Sequence, residues 1–122
     1  MSNNVLNMWS VFFKNKNLNA IMLLYSKNAV LLATFNKDIL QGRGNIMPYF
    51  VNLFKKENLN VVFDDKPIIT PIDDAYVISG NYTFSFTENG KRVEEKARYS
   101  YVIENRGQNS RIINHHSSVR PE

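Results

Sequence analysis

The feature that most constrains this sequence is a long alternating segment that leads into an Asn-Gly turn. Between residues 76 and 86, large apolar residues occupy almost every second position around a central glycine, and the positions between them are mostly polar. A period of two is typical of a strand with one buried face. Asn89-Gly90 accepts the positive φ angles of a type I′ turn, which predicts a hairpin into a second long strand, Val93 to Ile103. This region therefore predicts an antiparallel sheet with one aromatic face, bent or bulged at Gly80.

Shorter extended segments flank this hairpin in the C-terminal half. Val61 to Phe63 and Ile68 to Ile72 are predicted strands, separated by a turn that contains two aspartates and a proline. Pro71 limits the second of them to an edge or an end of the sheet, because proline cannot donate to the ladder. Arg111 to Val119 is predicted as the last strand.

The N-terminal part shows helical spacing instead. Apolar residues predict a helix of about residues 3 to 14, a second helix that Asn17 caps and that runs through Tyr25, and a third that resumes at Ile46. Pro48 is expected in the first turn of the third helix, where its missing amide has no partner to lose. Ala29 to Phe35 reads as a buried strand between turn clusters. The order predicts an α+β chain with three helices on one face of a sheet.

Length and composition limit the number of domains, the compartment and the partners that can be expected. The 122 residues fit a single domain over 1–122. There is no cysteine, which excludes disulfide and thiolate chemistry and is compatible with a reducing compartment, so we expect a cytoplasmic protein. The longest apolar stretch, residues 20 to 35, is interrupted by Ser26-Lys27-Asn28, so no membrane partner is expected. The net charge is +4, but the basic residues are scattered among acids, so no nucleic-acid partner is expected.

Two adjacent histidines are candidate functional groups, since a neutral imidazole can act as a base or a metal ligand near pH 7, or serve as a hydrogen-bonded structural residue. Neighbouring residues on a strand point to opposite faces, so His115 and His116 cannot hold one metal ion together. With neither cysteine nor a third histidine, the sequence indicates no metal site and no cofactor. At most one histidine faces the interior, and we assign that position to His116. His115 is then expected on the outer surface of the sheet or against a partner subunit.

The end of the chain resembles a known family. Ala97-Arg98-Tyr99-Ser100-Tyr101-Val102, followed by Ile113-Asn114-His115-His116-Ser117-Ser118 and Pro121-Glu122, is similar to the ending of SnoaL-like proteins related to the association domain of calcium/calmodulin-dependent protein kinase II. Further matches occur upstream in the order of the family: Trp9, Leu24-Tyr25 before Ala29-Val30-Leu31-Leu32, Gly42-Arg43, Tyr49-Phe50 and Ser79-Gly80 before Tyr82-Thr83-Phe84.

The resemblance implies a cone-shaped, cystatin-like member of the nuclear transport factor two-like superfamily. Such a fold wraps a strongly curved antiparallel sheet around the helices, leaves a pocket between them and commonly uses the outer sheet surface to form a homodimer. The isomerases of this superfamily use a buried aspartate as base, but the strand Ala29 to Phe35, where that base would stand, contains no acid. Two pocket arginines of the kinase association domain correspond here to Tyr82 and Tyr101, which implies an aromatic pocket wall with phenolic hydroxyls.

Three functions remain open at this point. The first is a homodimer that binds a small hydrophobic ligand, with candidate ligand-binding residues Trp9, Tyr82, Arg98, Tyr101 and His116. Arg98 would need an anionic ligand or a carboxylate if buried, and is more commonly exposed. The second is an enzyme of isomerase, cyclase or dehydratase type for a hydrophobic carbonyl compound, with His116 as proton shuttle and Tyr82 or Tyr101 as hydrogen-bond donor. The third is an assembly module, which predicts a filled core and an oligomer larger than two.

Overall fold

The computed structural model describes residues 4–122, which fold into three helices packed on one seven-stranded sheet. The elements are α1 (Asn4–Lys14), α2 (Leu18–Leu23), β1 (Tyr25–Leu32), β2 (Ile39–Gln41), α3 (Arg43–Leu53), β3 (Glu57–Phe63), β4 (Ile68–Ile72), β5 (Ala75–Glu88), β6 (Lys91–Glu104), a 3₁₀ turn (Gly107–Asn109) and β7 (Arg111–Val119). This is the α+β arrangement that the sequence predicts, with helices before the long strands.

The first two helices follow the predicted periodicity. Helix α1 buries Val5, Leu6, Trp9 and Phe13 on one face, as the helical spacing predicts, while residue 3 of the predicted helix lies outside the described residues. Asn17 caps α2, since its side-chain oxygen accepts a hydrogen bond from the backbone amide of Ala20. The prediction that α2 extends through Tyr25 was wrong. The helix ends at Leu23 and Tyr25 begins β1, so the strand starts four residues before the predicted Ala29.

The third helix begins earlier than predicted. It starts at Arg43, so Pro48 is its sixth residue rather than part of its first turn. The proline therefore removes one helix hydrogen bond, to the carbonyl of Gly44. Both residues are exposed, so water can satisfy that carbonyl.

Within the described residues, the sheet has one parallel strand pair, which corrects the expectation of an entirely antiparallel sheet. The strand order is β2-β1-β7-β6-β5-β3, and β4 pairs with β5 beside this path. Strand β1 runs parallel to β7, with Leu31 opposite His115, whereas every other pair is antiparallel. The short strand β2, which the sequence did not predict, pairs with the end of β1. The chain thus brings the N-terminal strand against the C-terminal one.

The hairpin of β5 and β6 forms the centre of the sheet. Asn89 and Gly90 have φ angles of 52° and 76°, as the predicted turn requires. The register is continuous from Ala75 opposite Glu104 to Glu88 opposite Lys91, so Gly80 marks no bulge against β6. Instead, the other edge of β5 changes partner there, from β4 at residues 75–79 to β3 at residues 82–87.

The hydrophobic core lies between the helices and the inner face of the sheet. Its largest fully buried side chains are Trp9, Phe13, Ile21, Tyr25, Leu31, Ile46, Phe50, Ile78, Tyr82, Tyr101, Ile103 and Ile112. Within the described part of the chain, no helix is long and apolar enough to cross a membrane.

Candidate functional site

A cluster of buried aromatic and polar side chains occupies the middle of the core. Five elements contribute to it: Trp9 comes from α1, Tyr25 from β1, Tyr82 from β5, Tyr101 from β6 and His115 from β7. The three residues of β5, β6 and β7 meet because alternate residues of neighbouring strands share the inner face. The Trp9 ring lies 4.9 to 6.4 Å, centroid to centroid, from the rings of six neighbours, including Tyr82, Tyr101 and His115. We call these five residues the inner cluster.

His115 is the hub of the inner cluster. Its Nδ1 lies 2.8 Å from the hydroxyl of Tyr25, and its Nε2 lies 3.1 Å from the hydroxyl of Tyr82. The ring also stacks on Tyr101, with a centroid distance of 3.9 Å and an interplanar angle of 17°. Both ring nitrogens and one ring face of this histidine are therefore occupied by the protein itself.

The hydrogen bonds of the inner cluster have one consistent direction. The indole Nε1 of Trp9 can only donate, and it donates to the Tyr25 hydroxyl over 3.0 Å. The Tyr25 proton is then free for Nδ1 of His115, which leaves the ring proton on Nε2 for donation to Tyr82. The Tyr82 hydroxyl in turn donates to Ser117 over 2.6 Å. A chain of donors thus runs from α1 through His115 to β7, where Ser117 also bonds the hydroxyl of Thr34.

Burial keeps the inner cluster neutral. Loss of solvation, with a smaller contribution from the neighbouring charge of His116, lowers the pKa of His115 to about 3. Burial raises the pKa values of Tyr25, Tyr82 and Tyr101 above the ordinary tyrosine value. At neutral pH none of these groups gains or loses a proton, so the arrangement has the properties of a structural hydrogen-bond network and not those of an acid–base pair.

The inner cluster encloses almost no free volume. The cavity beside Trp9, Tyr82 and His115 measures about 10 Å³, which is room for roughly one water molecule. None of the residues that line it is an aspartate or glutamate. Among the described residues, the space expected for a ligand at the inner cluster is therefore filled by side chains. Trp9, Tyr82 and Tyr101 do come together as predicted, but as packed core.

A groove of about 420 Å³ lies next to this cavity. It is lined by α3, by Lys56 just after that helix, and by Phe35 and Leu40 in the segment that follows β1. Tyr49 and Leu53 line both the groove and the inner cavity, so they form the wall between the two. A ligand could reach the inner cluster from this side only if these two side chains moved.

The assignment of His116 to the interior was wrong. His115 is the buried histidine and His116 is exposed on the opposite face of β7. The cause is a β-bulge: Ile103 pairs with Ile112, while Val102 pairs with Asn114, so Ile113 is an extra residue in β7. An extra residue reverses the alternation beyond it, which turns His115 and Ser117 inward and His116 outward.

Arg98 also lies on the outer face, so the five predicted ligand-binding residues divide into two groups. Arg98 and His116 line a groove of about 400 Å³ on the outer surface of β4, β5, β6 and β7. Its other polar lining residues are Ser79, Asn81, Ser100 and Ser118. We call this the outer groove. The sheet separates it from the inner cluster, so Arg98 and His116 cannot act on the same ligand as Trp9, Tyr82 and Tyr101.

The sequence prediction missed three members of the hydrogen-bond chain. Tyr25 was placed in a helix, and His115 and Ser117 were not considered as interior residues. Polar residues occupy both alternating sets of positions at the end of β7, so the sequence does not show which set faces inward. Only the position of the bulge at Ile113 assigns His115 and Ser117 to the inner face. Among residues 4–122, no three histidine, aspartate or glutamate side chains group in a way that could hold a metal ion.

Comparison with known proteins places this geometry in context. Residues 3–121 match the family model described as calcium/calmodulin dependent protein kinase II association domain. A Xanthomonas campestris protein described as a candidate domain of that kind is 34% identical, with a TM-score of 0.85 over 96% of this chain and 84% of that one. No curated protein matches the chain.

More distant structures share the fold alone. A candidate dehydratase of the nuclear transport factor two-like family from Streptomyces avermitilis is 10% identical, with a TM-score of 0.83 over 98% of this chain and 94% of that one. A ketosteroid isomerase-like protein from Erwinia carotovora atroseptica is also 10% identical, with a TM-score of 0.82 over 98% and 94% of the two chains. At this identity the similarity confirms the predicted cone-shaped fold and gives no information about the activity of this chain.

Proposed function

Since the chain belongs to the family of the calcium/calmodulin dependent protein kinase II association domain, we propose that it is a self-associating domain that pairs through the outer face of its sheet. The family name supports association as the activity of the fold. The proposal for this chain rests mainly on one observation, a band of side chains across the outer face with a large exposed isoleucine at each end.

That band follows the strand register. Successive cross-strand partners place six residues in one row from β2 to β4: Ile39, Leu32, His116, Ser100, Ser79 and Ile68. The terminal isoleucines are 68% and 70% exposed, far more than a packed aliphatic side chain. The adjacent row contains Val30, Val102 and Val77, which are half-buried. A second copy that covers these rows would remove their apolar surface from water, at about 25 cal/mol for each Å².

Strand β4 adds a second reason for association. All five of its residues are exposed, so neither face of the strand is covered by another part of the described chain. Three of the five are isoleucines, and Pro71 interrupts the free edge. Proline on an edge discourages open-ended strand pairing, which favours closed face-to-face pairing over edge-to-edge growth.

The filled interior supports association over ligand binding within the cone. A cavity of about 10 Å³ cannot hold an organic ligand without displacement of the inner cluster. Binding by Trp9, Tyr82 and Tyr101 stays a prediction that requires such displacement. The same observation favours a second candidate function, an assembly module with more than two copies, because that function needs no cavity.

The enzyme alternative with His116 as proton shuttle has no geometric support. It requires His116 to converge with Tyr82 or Tyr101, whereas His116 is exposed on the other face of the sheet. A cytoplasmic location stays a prediction from the lack of cysteine.

Sedimentation equilibrium at micromolar concentration tests the association. We expect a dimer for the native chain, and a rise of about 100-fold in its dissociation constant for Ile68→Glu, because a charge at the interface would be desolvated without a partner. Val11→Glu is the matched control, since Val11 is 52% exposed on α1, away from the sheet. A monomeric native chain would contradict self-association. An equal rise of the dissociation constant in both variants would exclude the outer face as the interface. An oligomer of more than two copies would favour the assembly module.

A further inference from the structure

The outer groove overlaps the band proposed for association, and it adds a second row of polar side chains that the association proposal does not use. Two rows of the strand register cross it: His116, Ser100 and Ser79 in one, and Ser118, Arg98 and Asn81 in the next. Neighbouring strands are about 4.8 Å apart and successive residues on one face about 6.6 Å apart, so the six side chains rise from a patch of about 10 Å by 7 Å. A small oxyanion seated at the centre of this patch would lie within reach of side chains from both rows.

Most hydrogen-bond donors of the groove have no partner within the described chain. The Arg98 guanidinium takes part in no hydrogen bond or ion pair among residues 4–122, and the side chains of His116, Asn81 and Ser118 make no hydrogen bond there either. The one internal bond joins the hydroxyls of Ser79 and Ser100 over 3.2 Å. An arginine on a β-sheet commonly pairs with a carboxylate across the strands, whereas the cross-strand neighbours of Arg98 are Asn81 and Ser118.

The charge of the groove is positive. None of its lining residues is acidic, and Arg98 supplies a permanent positive charge. Lys96 lies on the same face of β6, one row closer to the hairpin turn and opposite Thr83.

Gly80 and its cross-strand partner Tyr99 lie at the floor of the groove. A Cβ atom at this position would lie 2.7 Å from the hydroxyl of Tyr99, so the phenol occupies the space that any other residue would fill. Both residues line the groove. Gly80 and Tyr99 belong to the inner-face alternation of β5 and β6, so the Tyr99 ring packs on the inner side of the sheet, against Tyr82 and Tyr101, and the two residues contribute their backbone to the floor of the groove.

We propose that the outer groove binds a small oxyanion, a carboxylate or a phosphate, with the Arg98 guanidinium as its charged partner and the surrounding hydroxyl, amide and imidazole groups as further hydrogen-bond donors. The planar fork of arginine suits two oxygens of either anion. The site stands on the side chains of one copy and does not rest on self-association. If the outer face also pairs, the bound anion would neutralise an arginine that pairing removes from water.

Titration of the full chain with inorganic phosphate and with succinate, followed by NMR of the backbone amides, tests the site. Chloride at matched ionic strength corrects for screening. We expect saturable shifts at residues 98–100 and 116–118, and the stronger of the two anions identifies whether phosphate or carboxylate is preferred. Linear shifts without saturation for both anions would overturn the proposal.

Three variants separate a defined site from diffuse positive charge. Arg98→Gln should weaken binding by about tenfold, and Arg98→Lys by less, because the charge remains while the two-pronged geometry is lost. Arg106→Gln removes the same charge from an exposed arginine outside the groove, which pairs with Glu104, and should leave binding within about twofold. Equal weakening by Arg98→Gln and Arg106→Gln would overturn the proposal. Sedimentation in the same buffers reports self-association separately, so its failure would not be mistaken for failure of the site.

Discussion

The two faces of the sheet place polar and ionisable side chains in opposite environments. On the inner face, Tyr82 and His115 are buried and hydrogen-bonded, and the free volume beside them is about 10 Å³. On the outer face, Arg98 and His116 border a groove of about 400 Å³ and have no side-chain hydrogen bonds within the described chain. On the inner face these residue types satisfy one another inside the core, whereas on the outer face their donors are left available to a ligand or a partner.

One inner residue departs from this rule. Among residues 4–122, the buried hydroxyl of Tyr101 has no partner with normal hydrogen-bond geometry, although it interacts weakly with the Tyr82 hydroxyl and its ring stacks closely on His115. The ring therefore contributes packing while the hydroxyl contributes little that compensates for its loss of water. Tyr101 offers an internal test of which interactions stabilise the inner cluster.

The largest expected contrast is between Trp9 and Arg98. Trp9→Ala removes the side chain at the centre of the aromatic packing and should lower the free energy of unfolding by about 3–5 kcal/mol. Arg98→Ala removes an exposed side chain and should change it by no more than about 0.5 kcal/mol. Urea denaturation of both variants measures the contrast. A comparable loss in Arg98→Ala would mean that the outer face carries part of the stability of the fold.

A smaller contrast separates two tyrosines of the inner face. Tyr82→Phe leaves Nε2 of His115 without its partner and should cost about 1–3 kcal/mol. Tyr101→Phe removes a hydroxyl that lacks a well-formed hydrogen bond and should be neutral or slightly stabilising. The same denaturation experiment, with both proteins checked by near-ultraviolet circular dichroism, decides the matter. If the two substitutions cost the same, the directed hydrogen-bond chain would not be a source of stability.

Much of the fold could be predicted from local patterns. The alternation around Tyr82, the Asn-Gly turn and the helical spacing around Trp9 depend only on residues near in sequence, and the structure confirms each of them. Strand β2 could not be found this way, since three residues form a strand only because the end of β1 is available to pair with them. Tyr25 illustrates the same limit, because its place in β1 depends on the distant β7.

The candidate site was harder to predict, because one extra residue in a strand moves every residue beyond it to the opposite face of the sheet. The extra residue Ile113 in β7 exchanges the faces of His115 and His116, and no local signal reveals it. The resemblance to a family with a pocket also favoured an interior site. Whether the interior is open or filled depends on side-chain volumes summed over several elements, which alternation and spacing do not report.

The pH dependence of stability gives the smallest expected contrast, between the adjacent histidines. The pKa of His115 falls to about 3 in the folded protein, against about 6.5 in an unfolded chain, so the unfolded state binds more protons between these values. The contribution of His115 to the free energy of unfolding is therefore fully present above pH 6.5 and is lost progressively as the pH falls towards 3. Between pH 6 and pH 5, before most carboxylates titrate, the loss from this one group should be about 1 kcal/mol. His115→Gln should remove that part of the slope, whereas His116→Gln, at an exposed position, should retain it. Urea denaturation at the two pH values measures the slopes. If His116→Gln removed the slope and His115→Gln retained it, His116 and not His115 would be the histidine that folding keeps neutral.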